Sequence, residues 1–359
     1  MRGPRRVLLL ALLACVVGGV FTWQLQARLK RERTFLRACA EGQIRTVRRL
    51  LDEDRSLARL RTSANLTPLH LAVDGYQLDA VEALLERGAD PGARGNGNLT
   101  PLLCATQRGF STPARQLLEA GAPVDEPDMD GWSPLHWAVC AGSEGLAGLL
   151  VHHGADPGRK DSSGRSPLDL ALRMGPPSML ERLAPGRADR EGIRMAPLQD
   201  LAARGRTREL QAAVRAVPSR ICAQDAYGYN VLHWAYRERH DYLAENVDLS
   251  GNPYRNLATN QPGALGLTPL HFLVLGQSDS ALTRCLDKPS ANLEARDEDG
   301  QGPLHWALKL RDQAAVRRLV LAGADVNAED HRHRTPLALA RLYGLRDSLR
   351  LLEERGARE

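Results

Sequence analysis

Five histidines, His70, His136, His233, His271 and His305, are the residues of this 359-residue chain whose type best suits chemistry. Imidazole ligates metals and moves protons near neutral pH. Four of the five close the phrase Pro-Leu-His and the fifth closes Val-Leu-His, each in a separate copy of one recurring unit. Neighbouring units stack about a repeat apart, too far for shared coordination at ~2 Å. His331 and His333 form a short pair that reads as surface loop. Cys39, Cys104, Cys140, Cys222 and Cys285 are scattered without close pairs, which suits neither a zinc site nor a disulfide framework. The chain has no Gly-rich phosphate loop with Lys and no nucleophile motif. The expectation is no cofactor, no metal and no catalysis, with a dispersed catalytic site as the remaining alternative.

The units that carry these histidines keep a beat. Thr67-Pro68-Leu69-His70, Thr100-Pro101-Leu102-Leu103, Ser133-Pro134-Leu135-His136 and Ser166-Pro167-Leu168-Asp169 stand 33 residues apart. The Pro position recurs at Pro197, Val231, Pro269, Pro303 and Pro336, so the phrase occurs nine times. A fixed period of this length marks a stacked repeat array. Each residue type has a physical task. Thr or Ser caps a helix, and Pro suits the first helical position, where no amide donor is needed. Leu69, Leu71 and Ala72 hold one face of that helix, and Val81, Leu84 and Leu85 hold one face of a second. Gly88, Gly121, Gly154 and Gly323 follow the second helix, where a left-handed cap is wanted. Gly131, Gly164, Gly228, Gly266 and Gly300 fill the turn before the next phrase, with Asn65 and Asn98 in the first two copies. His333 stands there in the last copy, and an altered turn is expected.

The third copy, Asp128-x-x-Gly131-x-Ser133-Pro134-Leu135-His136-Trp137-Ala138, then Leu149-Leu150, then Gly154-Ala155-Asp156, resembles the ankyrin repeat family. The resemblance covers about residues 34–359. It implies an all-α solenoid of about ten helix-turn-helix repeats with β-turn or hairpin tips, preceded here by an N-terminal hydrophobic helix. It implies that the recurring histidines tie neighbouring turns together by hydrogen bonds. Trp137, Trp234 and Trp306 follow the histidine at a core position and read as packing. The family's usual work is binding a protein or peptide along a concave face of turn tips and first helices. The tip column is the residue before each Thr/Ser-Pro. From it and its neighbours, Leu99, Met129, Trp132, Arg165, Tyr227, Tyr229 and Leu267 are the candidate partner-binding residues, with Trp132 and Tyr229 as exposed aromatic anchors. Glu298 and Asp299 are neighbouring tip residues. A tethering or self-association module without a groove ligand is the alternative.

Charge and hydropathy divide the chain. Residues 1–37 carry eight Arg/Lys and one acid, a net of +7 against a total of +5, which leaves the remainder at −2. An array of that charge is not expected to read nucleic acid. Val7 to Trp23 is an uncharged run of seventeen residues, the short end for a membrane span. Residues 1–33 therefore read as a basic and hydrophobic membrane segment, a single-pass N-terminal anchor. A signal peptide cleaved near Val17-Gly18-Gly19, or a lipobox at Leu12-Leu13-Ala14-Cys15, would instead export the array. Arg28, Lys30, Arg31 and Arg33 after the run favour a cytoplasmic array. The beat fails at 184–195, which divides the array into residues 34–184 and 194–359 around a divergent junction at 185–193. It also stretches across 240–263, where Ser250-Gly251-Asn252-Pro253 reads as a turn in an extended loop.

Overall fold

The computed structural model describes residues 25–174, 177–184, 197–216, 221–225, 228–237, 240, 258, 260–287 and 291–358. Among these residues the regular structure is helical, with no strand. Residues 25–41 form a helix that pairs with Ile44–Glu53. A first helix then begins at each position of the phrase: Pro68, Pro101, Pro134, Pro167, Pro197, Val231, Pro269, Pro303 and Pro336. The start is set locally. Thr67 is extended, with φ −87° and ψ 165°, and Pro68 takes the first helical position. The same arrangement recurs at Thr100, Ser133, Thr268 and Thr335. Each first helix is only about two turns long, so packing on its neighbours must hold it. Leu69 and Ala72 of the first copy and Val81 and Leu84 of its second helix are all buried, as their spacing requires, while Leu71 and Leu85 are half-buried.

First helices pack on first helices, and second helices on second helices. The row of first helices runs from Pro68–Asp74 through Pro101–Gln107 and Pro134–Cys140 to Pro167–Met174. A second row runs from Pro197–Ala203 through Val231–Arg237, Pro269–Leu275 and Pro303–Lys309 to Pro336–Leu342. Packing of that extent is absent between Pro167–Met174 and Pro197–Ala203, so the described helices form an N-terminal and a C-terminal stack. The core is mostly Leu, Ala and Val and extends from Phe35 to Leu352. Cys39, Cys104 and Cys140 are buried in it as small hydrophobes, and burial pushes the Cys39 and Cys140 thiols up to about 12.

The tips are turns, one of the two forms expected. The third is closed by two backbone bonds, from the Asp128 amide to the Trp132 carbonyl and from the Gly131 amide to the Asp128 carbonyl, each 3.0 Å, and successive tips are joined, as from the Ser162 amide to the Asp130 carbonyl at 3.1 Å. Gly131 shows why its position needs glycine: φ is +80°, and a Cβ would lie 2.6 Å from the Ser162 amide nitrogen. The last turn is not altered, contrary to expectation. His333 takes φ +57°, the value of Asn65 and Asn98, so the closed turn dictates the conformation whatever the side chain. No helix among the described residues is long and apolar enough to cross a membrane. The run at 7–23, the junction at 185–193, Tyr227 and most of the loop at 240–263 lie outside the described residues.

Candidate protein-binding face

The histidines form a ladder within each stack. The Thr67 amide donates to His70 Nδ1 at 3.1 Å, and His70 Nε2 lies 2.9 Å from the Leu99 carbonyl in the next tip. Since Nδ1 accepts, Nε2 carries the proton and donates. His136, His233, His271 and His305 repeat this with the carbonyls of Arg165, Leu267, Gln301 and Arg334, at 3.0 to 3.3 Å. Gln199 stands at the histidine position of its copy, and its Nε2 points at the Tyr229 carbonyl, 3.4 Å away. The acceptors are the backbone oxygens of the tip column, so each repeat fixes the tip of the next. Burial pushes His70, His271 and His305 down to about 4 and His233 to about 3, which keeps these rings neutral donors.

The tryptophans do more than pack. Trp137 Nε1 donates to Asp128 Oδ2 at 2.9 Å, Trp234 to Asp225 at 2.6 Å and Trp306 to Asp297 at 2.8 Å. The other oxygen of Asp128 accepts from the amides of Asp130 and Trp132, at 2.9 Å each, so one carboxylate fixes both turn and ring. Burial pushes Asp128 up to about 6, against the pull of Lys309, and raises Asp297 to about 6 as well.

The tip column is not an open groove. Trp132 is 3% exposed and Tyr229 0%, so neither is the exposed anchor expected from sequence. Leu99 and Leu267 are buried too, while Met129 and Arg165 are half-buried. Tyr229 and Leu267 are covered inside the C-terminal stack, where Tyr229 lies against His233, Trp234 and Phe272. Trp132, Met129 and Arg165 are covered from across the molecule. The two stacks meet by their first-helix and tip faces, and the meeting is largely polar. Lys309 Nζ sits 2.7 Å from Asp130 Oδ2 and lies over three rings, Trp132, Trp137 and Trp306, at 5.2 to 5.4 Å from their centroids. Trp306 packs edge-on against Trp132 and Trp137. Arg334 and Arg332 reach Asp130 Oδ1 at 2.8 and 2.9 Å. Burial opposes the Asp130 charge, but Lys309 and Arg334 outweigh it and hold the carboxyl below its usual range. Burial likewise opposes the Lys309 charge, and Asp130 and Asp128 outweigh it in turn.

Other contacts line the same seam. Asp74 takes Arg311 at 2.9 Å from the far stack and Arg108 at 3.1 Å from its own. Gln277 donates to the Gln107 carbonyl at 3.0 Å. Arg165 and Arg173 pair with Asp299 and Glu298 at 2.7 and 2.6 Å, which brings those two tip residues into the seam. Tyr343 donates to Met129 Sδ at 3.5 Å. A cavity of about 350 Å³ remains between the stacks, walled by Arg108 and Phe110 on one side and Arg237, Phe272 and Gln277 on the other.

Asp74, Asp130, Lys309 and Arg311 were not among the sequence candidates. A signal for part of this set existed. The seventh residue of each first helix reads Asp74, Gln107, Cys140, Arg173, Ala203, Arg237, Leu275, Lys309 and Leu342. Charge in a column otherwise largely apolar marks residues that need a partner, and Asp74, Arg173 and Lys309 find theirs across the seam.

Comparison with known proteins matches these repeats. A family model described as ankyrin repeats (3 copies) matches residues 11–95 and 75–161, and a single ankyrin repeat model matches residues 299–331. The ankyrin repeat domain-containing protein SOWAHD of Homo sapiens is 33% identical over 126 residues, and that of Mus musculus 32% over 114. These alignments cover 34% and 31% of this chain but only 39% and 34% of those proteins, so the chain matches well under half the length of either relative. Neurogenic locus notch homolog protein 1 of Xenopus tropicalis is 33% identical over 107 residues, which is 30% of this chain and 4% of that protein.

Proposed function

Because the chain belongs to the ankyrin repeat family, we propose that it is a non-catalytic scaffold that binds a protein or peptide by the tip-and-first-helix face of its array. Ankyrin repeats are protein interaction modules, and the finer assignment rests on one observation. This face already holds a folded protein surface, that of the chain's own second stack, through Asp130, Lys309 and three tryptophans. Of the candidate contact residues, Met129, Trp132 and Arg165 stand where the second stack covers this face, whereas Leu99, Tyr229 and Leu267 are buried and Tyr227 lies outside the described residues. We place two sub-arrays at 34–184 and 194–359, in keeping with the interrupted row of first helices. A membrane tether at residues 7–23, with the array on the cytoplasmic side, is part of the same proposal. It rests on the uncharged run and on the basic residues that follow it.

A photoreactive residue at Met129, compared with one at Glu82 on the outer helix, tests the face. Protein adducts formed in cells from position 129 and not from 82 would support it. Equal yields from both positions would remove the assignment. Adducts only between copies of the chain would favour self-association, the reading for which the self-complementary seam also speaks.

A further inference from the structure

We infer that the face carrying Asp74, Asp128 and Asp130 beside Trp132 and Trp137 is a docking surface for a protein segment that presents lysine or arginine. In this structure the C-terminal stack occupies it as a built-in competitor. The inference deepens the scaffold reading above and rests on it for the face, while adding the partner's chemistry and the gate.

The occupant defines the chemistry. The ammonium of Lys309 meets a carboxylate at 2.7 Å and three aromatic rings at 5.2 to 5.4 Å. Such a cage selects a cation, because the ring faces are negative and the carboxylate supplies the counter-charge. Most of the cage belongs to the N-terminal stack. Asp130, Trp132 and Trp137 lie there, and the Asp128 carboxylate orients Trp137 without help from the other stack. The C-terminal stack contributes Trp306 and the cations Lys309, Arg311, Arg332 and Arg334. At the cage the two faces are therefore unlike, one supplying the carboxylate and two rings and the other the cations. Beyond it the signs reverse, with Arg165 and Arg173 of the N-terminal stack meeting Asp299 and Glu298. Outside the cage the N-terminal face keeps a second anchor point at Asp74, now shared by Arg311 of the far stack and Arg108 of its own. A segment with two basic residues would satisfy both.

The competitor sits on the same chain, so it acts at high effective concentration, and an outside segment binds only as often as the stacks part. Weakening the internal contact must then strengthen external binding, which no merely structural seam would do.

The test uses the full chain and a fluorescein-labelled nonalysine, read by anisotropy, with folding checked by circular dichroism. Lys309→Met/Arg334→Met should bind the probe at least tenfold more tightly than wild type. Adding Asp130→Asn should abolish that gain. No gain in the folded double variant overturns the inference, as does a gain that survives Asp130→Asn, because the probe would then be reading general charge. Doubled mass of the opened variant in solution would name a second copy as the occupant and also overturn it. Should the double variant fail to fold, a closed chain replaces it. Ser63→Cys and Arg346→Cys, at a cross-seam hydrogen bond of 3.2 Å, are joined by a short bismaleimide, with Cys15, Cys222 and Cys285 replaced by serine. The joined chain should bind the probe at least threefold more weakly than its unjoined form, and equal binding overturns the gate. A result that supports docking while Met129 yields no adduct in cells would remove only the scaffold assignment.

Discussion

The histidine ladder and the seam between stacks are both buried and polar, yet they are built in opposite ways. The ladder repeats one bond five times with the same atoms: an imidazole Nε2 donating to a tip carbonyl. The seam repeats one pair only: Arg165 with Asp299 and Arg334 with Asp130 join the same two repeat positions in opposite directions. Asp74 with Arg311 and Asp130 with Lys309 each occur once. Contacts between successive repeats thus hold each stack, and contacts between repeats far apart in sequence decide what each stack faces. A change in the ladder should weaken a stack without parting the two, and a change in the seam should part them without melting either.

The largest expected effect is at Asp130. Asp130→Ala leaves Lys309 as a buried charge without its ion-pair partner and Arg334 with Asp330 alone, and breaking a buried pair by removing one partner costs about 3–5 kcal/mol. Small-angle scattering should show an expanded particle while far-ultraviolet circular dichroism keeps its helical signal. Loss of helix together with expansion would mean that stack and seam are not separable.

His70→Ala should cost about 1–3 kcal/mol, since it leaves the buried Thr67 amide without its acceptor and the Leu99 carbonyl with the Gly95 amide alone. Urea unfolding should show the loss, with the particle size of the folded state unchanged. His70→Gln should recover part of it, because Gln199 already reaches a tip carbonyl from this position. An equal loss for both substitutions would deny the hydrogen bond its role.

Acid should act on the ladder first. The buried histidines have folded pKa values below that of the free side chain, so the unfolded chain binds more protons in the window between. The stability they contribute is complete above about 6.5 and falls as pH drops toward 4. Asp128 and Asp297, raised to about 6, work the other way, since their protonation between pH 6 and 4 favours the folded state. Five histidines against two carboxylates leave a net loss. The melting temperature should fall from pH 7 to pH 4.5, and substituting His70 and His271 together should flatten that slope. An unchanged slope would show that the seam carboxylates govern acid stability instead.

The smallest effect belongs to the half-exposed outer-helix pair Arg318 and Asp279, 2.6 Å apart and outside both ladder and seam. Arg318→Ala should shift stability by about 0–1 kcal/mol and leave compactness alone.

How much of this was legible follows from the same contrast. Pro68, Pro101, Pro134 and their later counterparts announced every first helix, because capping and proline geometry are local. The His70 and Trp137 positions announced structural roles, because their partners stand at fixed offsets, although the Trp137 bond to Asp128 went beyond packing. The burial of Trp132 was not legible. Its cover, Lys309 and Trp306, lies more than 170 residues away in sequence, and no period connects them. The turn at His333 was misread for a related reason. The backbone bond from the His333 amide to the Asp330 carbonyl, at 2.9 Å, fixes that turn independently of the side chain.

The central claim is that the two stacks hold each other face to face. Spin labels on the outer helices, at Glu82→Cys and Arg317→Cys in a chain with Cys15, Cys222 and Cys285 replaced by serine, would report it by pulsed dipolar spectroscopy. The account predicts one narrow distance distribution in the otherwise unaltered chain, lengthening and broadening when Asp130→Ala is added. A broad distribution that Asp130→Ala leaves unchanged would contradict it.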